Sequence, residues 1–244
     1  MASKKKEVKK QKFDFGILIM VVVMLLFIVA VIFVFTKDSS EEKKLLSENE
    51  KIVKTIFSDD RDENNLNKLL ERTISVGKYQ TYEASYKRYV KDCYSNYINI
   101  DNIINSDEYK DYVKIETIEK EGPNFENTLK SLRSNKDKLT ESLLALKTCS
   151  TVDNAVTYLT NKDSKAVEYK FYTEELVPSI IIDKKDLDTL EKNIEDTKDV
   201  LEKEEELLLF LKTNSKYWSV IEGNIIFYNN SLIDEYNNYL KELK

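Results

Sequence analysis

The chain predicts an all-α fold: a single N-terminal transmembrane helix followed by an extracytoplasmic antiparallel helical bundle with coiled-coil-like long helices and one small C-terminal β-hairpin. Three observations carry that prediction. Residues Phe15 to Phe35, FGILIMVVVMLLFIVAVIFVF, run without a charge; as a helix they reach about 31 Å, enough for one crossing of a bilayer core of roughly 30 Å. The whole chain is 34% charged and has only four Gly and two Pro in 244 residues, too little turn material for an all-β domain. Apolar residues then recur at spacings of three and four through several long stretches, the period of a helix face.

The flanks of the span set its orientation. Lys4, Lys5, Lys6, Lys9, Lys10 and Lys12 precede it, whereas Lys37, Lys43, Lys44 and Lys51 beyond it are mixed with acids. Lys and Arg concentrate on the cytoplasmic side, which places residues 1–12 inside as a basic tail and the long C-terminal part outside. A cleaved secretory signal has a shorter apolar run and small residues at its cleavage site; here Thr36-Lys37-Asp38 follows directly. The span 13–36, with Phe15 and Phe35 at its ends, therefore reads as an uncleaved signal anchor in the plasma membrane. Residues 1–36 carry six Lys against Glu7 and Asp14, net +4, and the whole chain is −6, so residues 37–244 carry −10. A surface that acidic is a poor partner for nucleic acid, whose binding rests on Lys and Arg neutralising phosphates.

Outside the membrane, residues 37–77 read as a juxtamembrane helical stalk. Ser39-Ser40-Glu41-Glu42 opens a helix, and Leu45, Leu46, Ile52, Val53, Ile56 and Phe57 form its apolar stripe. A second short helix, from Asp62 to Val76, closes at Gly77. Between them Asp60, Asp62, Asn64 and Glu71 have the oxygen spacing of an EF-hand loop. Asn65, however, stands where that loop needs glycine. The alternative is a solvated turn that caps the second helix.

The bundle is assigned to residues 78–213. Tyr82, Tyr86, Tyr89, Cys93 and Tyr97 fall on one face of a helix from Thr81 to about Ile104. That face is either a core stripe with wet hydroxyls or an aromatic strip for sugar rings. Gly122-Pro123 marks the start of a helix through residue 148, with proline in its first turn, on the seam Phe125, Leu129, Leu132, Leu139, Leu143 and Leu146, where Lys136 takes one position. Shorter helices, Val152 to Leu159 and Ser164 to Leu176, lead to an extended linker at 179–183. The longest rod, Lys184 to Lys212, carries a seam of Leu187, Leu190, Ile194, Thr197, Leu201, Glu204, Leu208 and Leu211. Two polar residues in eight seam positions favour packing inside one chain over a homodimeric zipper, although a homo-oligomer is compatible with the pattern.

Residues 214–244 read as a hairpin and a closing helix. Tyr217 to Ile221 and Ile225 to Tyr228 are β-rich runs around a three-residue turn, Glu222-Gly223-Asn224. Ser231 to Leu243 is an amphipathic helix with a capping box at Ser231 and Asp234. The run FYNNSLIDEYNNYL, Phe227 to Leu240, loosely resembles the closing helix of the LemA family, single-pass proteins with helical outer domains. It covers fourteen residues, and the Arg-rich helix with a Pro-Asn pair that marks that family has no counterpart.

Cys93 and Cys149 are the two cysteines, and an oxidising outer compartment permits a bridge. In a plain antiparallel hairpin of the two helices that carry them, Cys93 lies level with about residue 135, leaving Cys149 about 20 Å away. A disulfide needs Cα atoms within roughly 7 Å, so free thiols are expected.

The chemistry points away from catalysis. The chain has no histidine and no Gly-rich phosphate loop, which removes Ser-His-Asp and Cys-His nucleophiles and His-ligated zinc. No cofactor is implied. The expected function is that of a non-enzymatic, membrane-anchored scaffold or interaction subunit of a cell-envelope assembly with a protein partner. The alternatives are a surface binding module for a glycan, peptide or ion, and the outer part of a sensor that signals through a partner protein. Tyr217, Trp218, Ile225, Phe227 and Tyr228 are the candidate partner-binding residues. Both faces of the hairpin are apolar, and one bundle covers one face. A final helix folded back over the second face would instead make the module purely structural.

Overall fold

A computed structural model describes residues 40–58, 60–106 and 112–243. The span Phe15–Phe35, the basic tail and the first residues of the expected stalk lie outside the described residues. Among the described residues no helix is long and apolar enough to cross a membrane.

The described chain is mostly helical, with one two-stranded antiparallel sheet near its C-terminal end. Helix α1 runs through residues 40–56, α2 spans Glu63–Glu71 and α3 Tyr79–Ile104. The connection after α3 contains a short helix, α4 (Ile115–Glu121), and leads to α5 (Glu126–Cys149). Short α6 (Val152–Thr157) and α7 (Val167–Phe171) follow, the latter continuing as a π-turn over Tyr172–Leu176. The long α8 (Lys184–Thr213), strands β1 (Trp218–Ile221) and β2 (Asn224–Phe227) and helix α9 (Asn230–Glu242) complete the order.

The segment read as a stalk is, from residue 40 onward, part of the bundle. Leu45, Ile52 and Ile56 of α1 are buried. Glu42 accepts from the Tyr79 hydroxyl at 2.7 Å, Asn49 accepts from Tyr86, and Phe57 meets Tyr94 edge to face. The constant offset of 37 residues means that α1 and α3 run parallel, side by side. They can do so because α2 and the segment 72–78 carry the chain back: Arg61 pairs with Asp101, while Ser75 bonds Glu83. By contrast α5 and α8 are antiparallel, as the ion pairs Arg133–Glu205 at 2.5 Å and Lys147–Glu191 at 2.6 Å show. The long seam of α8 is thus spent inside the chain.

The tyrosine face of α3 is core. Tyr82, Tyr86, Tyr89 and Cys93 are all 4% exposed or less and Tyr97 is half-buried against the same core, so no continuous aromatic strip is offered to a sugar. Their hydroxyls are not wet either. Tyr86 donates to Asn49 and Tyr94 to the Ile180 carbonyl, whereas the Tyr82 hydroxyl has no partner among the described residues. The acidic turn before α2 has an equally plain role: Asp62 caps the helix by accepting from the Asn65 amide at 3.0 Å. Among the described residues no group of three or more His, Cys, Asp or Glu is placed to hold a metal ion.

The expectation of free thiols is overturned. Cys93 and Cys149 are bridged, with Cα atoms 5.6 Å apart. A plain hairpin register fails because the connection 105–125 is not a tight return: α4 occupies part of it, and α5 begins far past the end of α3. Its C-terminal end therefore reaches only to the middle of α3. The helix start expected at Pro123 also moves. Phe125 adopts a left-handed conformation, φ 52°, and α5 opens at Glu126; the Phe125 ring, 0% exposed, is turned into the core.

One seam residue of α8 is out of place in a core. Glu204 is 6% exposed, and its Oε2 has no hydrogen-bond partner among the described residues. Burial pushes its carboxyl up to about 7. A carboxyl that holds its proton more tightly folded than unfolded contributes stability below the unfolded value, and that contribution is lost as pH rises through about 7. We expect Glu204→Gln to raise unfolding stability by about 2–3 kcal/mol at pH 8 and to leave it nearly unchanged at pH 4.5. Urea titrations at the two pH values measure this, and an equal effect at both means that the carboxyl is not charging inside the fold.

Candidate functional site

Strand pairing decides which hairpin residues are available. β1 and β2 pair antiparallel with Trp218 opposite Phe227 and Ile221 opposite Asn224. The connection is a two-residue turn in which Glu222 (φ 50°) and Gly223 (φ 72°) are both left-handed, the twist that suits a tight hairpin. A three-residue turn over Glu222 to Asn224 would shift the register by one and send every side chain of β2 to the opposite face.

In the observed register Trp218, Val220, Ile225 and Phe227 share the inner face. The Trp218 ring stacks on Phe125, with centroids 6.2 Å apart, and its Nε1–H donates to the Leu211 carbonyl at 2.6 Å. Gly122 makes room for it: a Cβ there would lie 2.9 Å from the Trp218 ring and 2.5 Å from the Ile118 carbonyl oxygen. Phe227 packs on Phe210 of α8 and Tyr236 of α9, and Tyr239 also meets Phe210. Helix α9, begun by Asn229 accepting from the Ser231 amide rather than by a Ser231 box, therefore folds under the inner face.

The outer face stays open. Tyr217 is 52% exposed, Ile221 50%, Ile226 41% and Tyr228 63%; the Tyr228 hydroxyl lies 2.5 Å from the Ser219 hydroxyl. Of the five residues selected from sequence, the structure separates Trp218, Ile225 and Phe227, which anchor the hairpin, from Tyr217 and Tyr228, which it presents. Ile221 and Ile226 complete the exposed face. Alternation along each strand is the signal that finds them once the turn length is known.

The position of this face follows from the helix contacts. Residue 42 at the start of α1 meets residue 79 at the start of α3; Cys93 is tied to Cys149, and the hairpin packs beside the start of α5. Fourteen residues of α3 and twenty-three of α5 make a path roughly 55 Å long at 1.5 Å per residue. The hairpin sits at the far end of the bundle from residue 40.

A cavity of about 430 Å³ lies beside the linker, lined in part by Phe57, Tyr97, Ile180, Ile182 and Leu190. Asp183 and Asp186 also line it, and Asp183 caps α8 by accepting from the Asp186 amide at 2.8 Å. The chain matches no protein-family model, no curated protein and no solved structure.

Proposed function

We propose that this chain is a non-enzymatic interaction subunit of a cell-envelope assembly, anchored through Phe15–Phe35 with residues 37–244 outside the membrane, and that it docks a protein partner on the outer face of its terminal hairpin. The uncovered face formed by Tyr217, Ile221, Ile226 and Tyr228 carries the reading. A soluble chain rarely leaves four neighbouring large apolar side chains open without a use for them, and tyrosine is favoured at protein interfaces. The Cys93–Cys149 bridge supports an oxidising compartment. The features that would support a glycan or ion module, the tyrosine strip and the acidic turn, are taken up by the core and by a helix cap.

The test uses one face against the other. A cysteine at Tyr228 should be labelled by a membrane-impermeant thiol reagent in intact cells. Tyr217→Ser with Tyr228→Ser should abolish recovery of a stoichiometric partner while moving the melting temperature by less than about 2 °C. Trp218→Ala, on the inner face, should instead cost about 3 kcal/mol of stability. Absence of surface labelling, or partner recovery unchanged by the tyrosine pair, overturns the proposal.

A further inference from the structure

The hairpin has a second unsatisfied feature, which the docking reading does not use. Tyr228 donates its amide to the Tyr217 carbonyl at 2.8 Å, while the Tyr217 amide itself donates to the Asn214 carbonyl at 2.9 Å, so the Tyr217 carbonyl and the backbone groups of residues 219 and 221 turn toward β2. By the alternation of an antiparallel ladder, Trp218 and Val220 turn theirs to the free edge. Neither amide has a partner among the described residues. An edge strand is ordinarily guarded by charge, proline or a bulge. The sequence of β1 is WSVI, charge-free in a chain that is one-third charged.

The geometry points to a second copy of this chain as the occupant of that edge, the two β1 strands pairing antiparallel about a twofold axis at Ser219. In that register Trp218 of one copy lies opposite Val220 of the other, and the four free backbone groups of each edge close into two reciprocal hydrogen-bonded pairs. Tyr217 lies opposite Ile221, an aromatic and β-branched cross-strand pair of the stabilising kind. Lys216 and Glu222, which flank β1 in the turns on either side of it, are both exposed and are brought to the same end of the paired strands, Lys216 of one copy beside Glu222 of the other. Because the axis is twofold, each of these matches occurs twice. Shifting the axis by one residue, to Trp218 or Val220, would leave only one such pair between strand residues and would separate Lys216 from Glu222. The product is a four-stranded sheet, β2–β1–β1–β2, that places two copies of the outer face side by side. Membrane anchoring helps, since hairpins at the same distance from residue 40 stand at the same height.

Two measurements on the full-length chain in its membrane decide this, and neither depends on a docked partner. The axis brings the two Ser219 Cα atoms to about 4.5 Å, a non-hydrogen-bonded pair, so Ser219→Cys should form an intermolecular disulfide at least about tenfold faster than Asn224→Cys on β2. The native cysteines do not compete, being already bridged. Lys216→Glu should weaken self-association about tenfold by setting like charges opposite each other twice, and adding Glu222→Lys should restore it. A Ser219 variant that links no faster than Asn224→Cys, or a charge reversal that the second change does not rescue, overturns the pairing. Loss of partner recovery with self-association intact would touch only the docking proposal.

Discussion

Replacing Cys93 and Cys149 together by Ala is expected to lower the melting temperature by roughly 8–16 °C. The bridge closes a loop across a sequence separation of 56 residues. In the chain-entropy account a loop of that size removes enough freedom from the unfolded chain to stabilise the fold by about 4 kcal/mol, and a chain of this size loses roughly 2–4 °C per kcal/mol. The site adds to the effect, because Cys93 is 1% exposed in the centre of the tyrosine core. The bridge also fixes the stagger between α3 and α5, from which the far position of the hairpin follows. Melts followed by circular dichroism, with and without reductant, measure the loss. Intact mass after alkylation without reductant should show no added alkyl groups. Two added groups, or a variant melting within about 2 °C of the parent, would remove the bridge from the account.

The second large effect is expected from Lys87→Met. Lys87 is 5% exposed and its ammonium lies 2.8 Å from Glu83 and 3.6 Å from Glu48 while donating to the Arg72 carbonyl at 2.6 Å. Burial by itself would raise the Glu83 carboxyl. Hydrogen bonds from Lys87, from Ser75 and from the Ser75 and Ile74 amides outweigh it and hold the group below its ordinary value. Glu48 is likewise lowered, its burial outweighed by Arg72 and Lys87. Removing the cation leaves two carboxylates facing each other at 1% and 3% exposure, a situation that costs about 3–5 kcal/mol.

The sign with pH follows from the same groups. Carboxyls held low contribute stability above the ordinary carboxylate value and lose it as pH falls through the depressed one. The variant has lost that contribution, so its deficit should be full at pH 7 and should shrink on acidification below about pH 4. Glu83→Gln in the same background should recover part of the loss at neutral pH. A deficit under about 1 kcal/mol, or one that does not change with pH, would mean that Arg72 alone suffices for both acids.

Features that depend on near neighbours along the chain are legible in the residues alone. The seam Leu187 to Leu211 fixed α8 to within a residue at its C-terminal end, because a helix is specified by spacing at three and four and by a cap such as Asp183. The hairpin was legible from its β-rich runs and Gly223, and the tyrosine face of α3 from its spacing, with burial of large rings favouring the core. Composition excluded histidine chemistry outright.

Register between elements is another matter, because local spacing carries no information about it. A plain hairpin misplaces the two cysteines because it supplies no account of α4 or of the left-handed turn at Phe125, and a stagger of fourteen residues changes about 20 Å into 5.6 Å between Cα atoms. The parallel pairing of α1 with α3 needed three contacts at one offset, which no periodicity contains. The exposed face of the hairpin turned on a single residue of turn length. Side chains in a strand alternate with period two, so a change of one sends Ile225 and Phe227 inward and leaves Ile226 and Tyr228 for a partner.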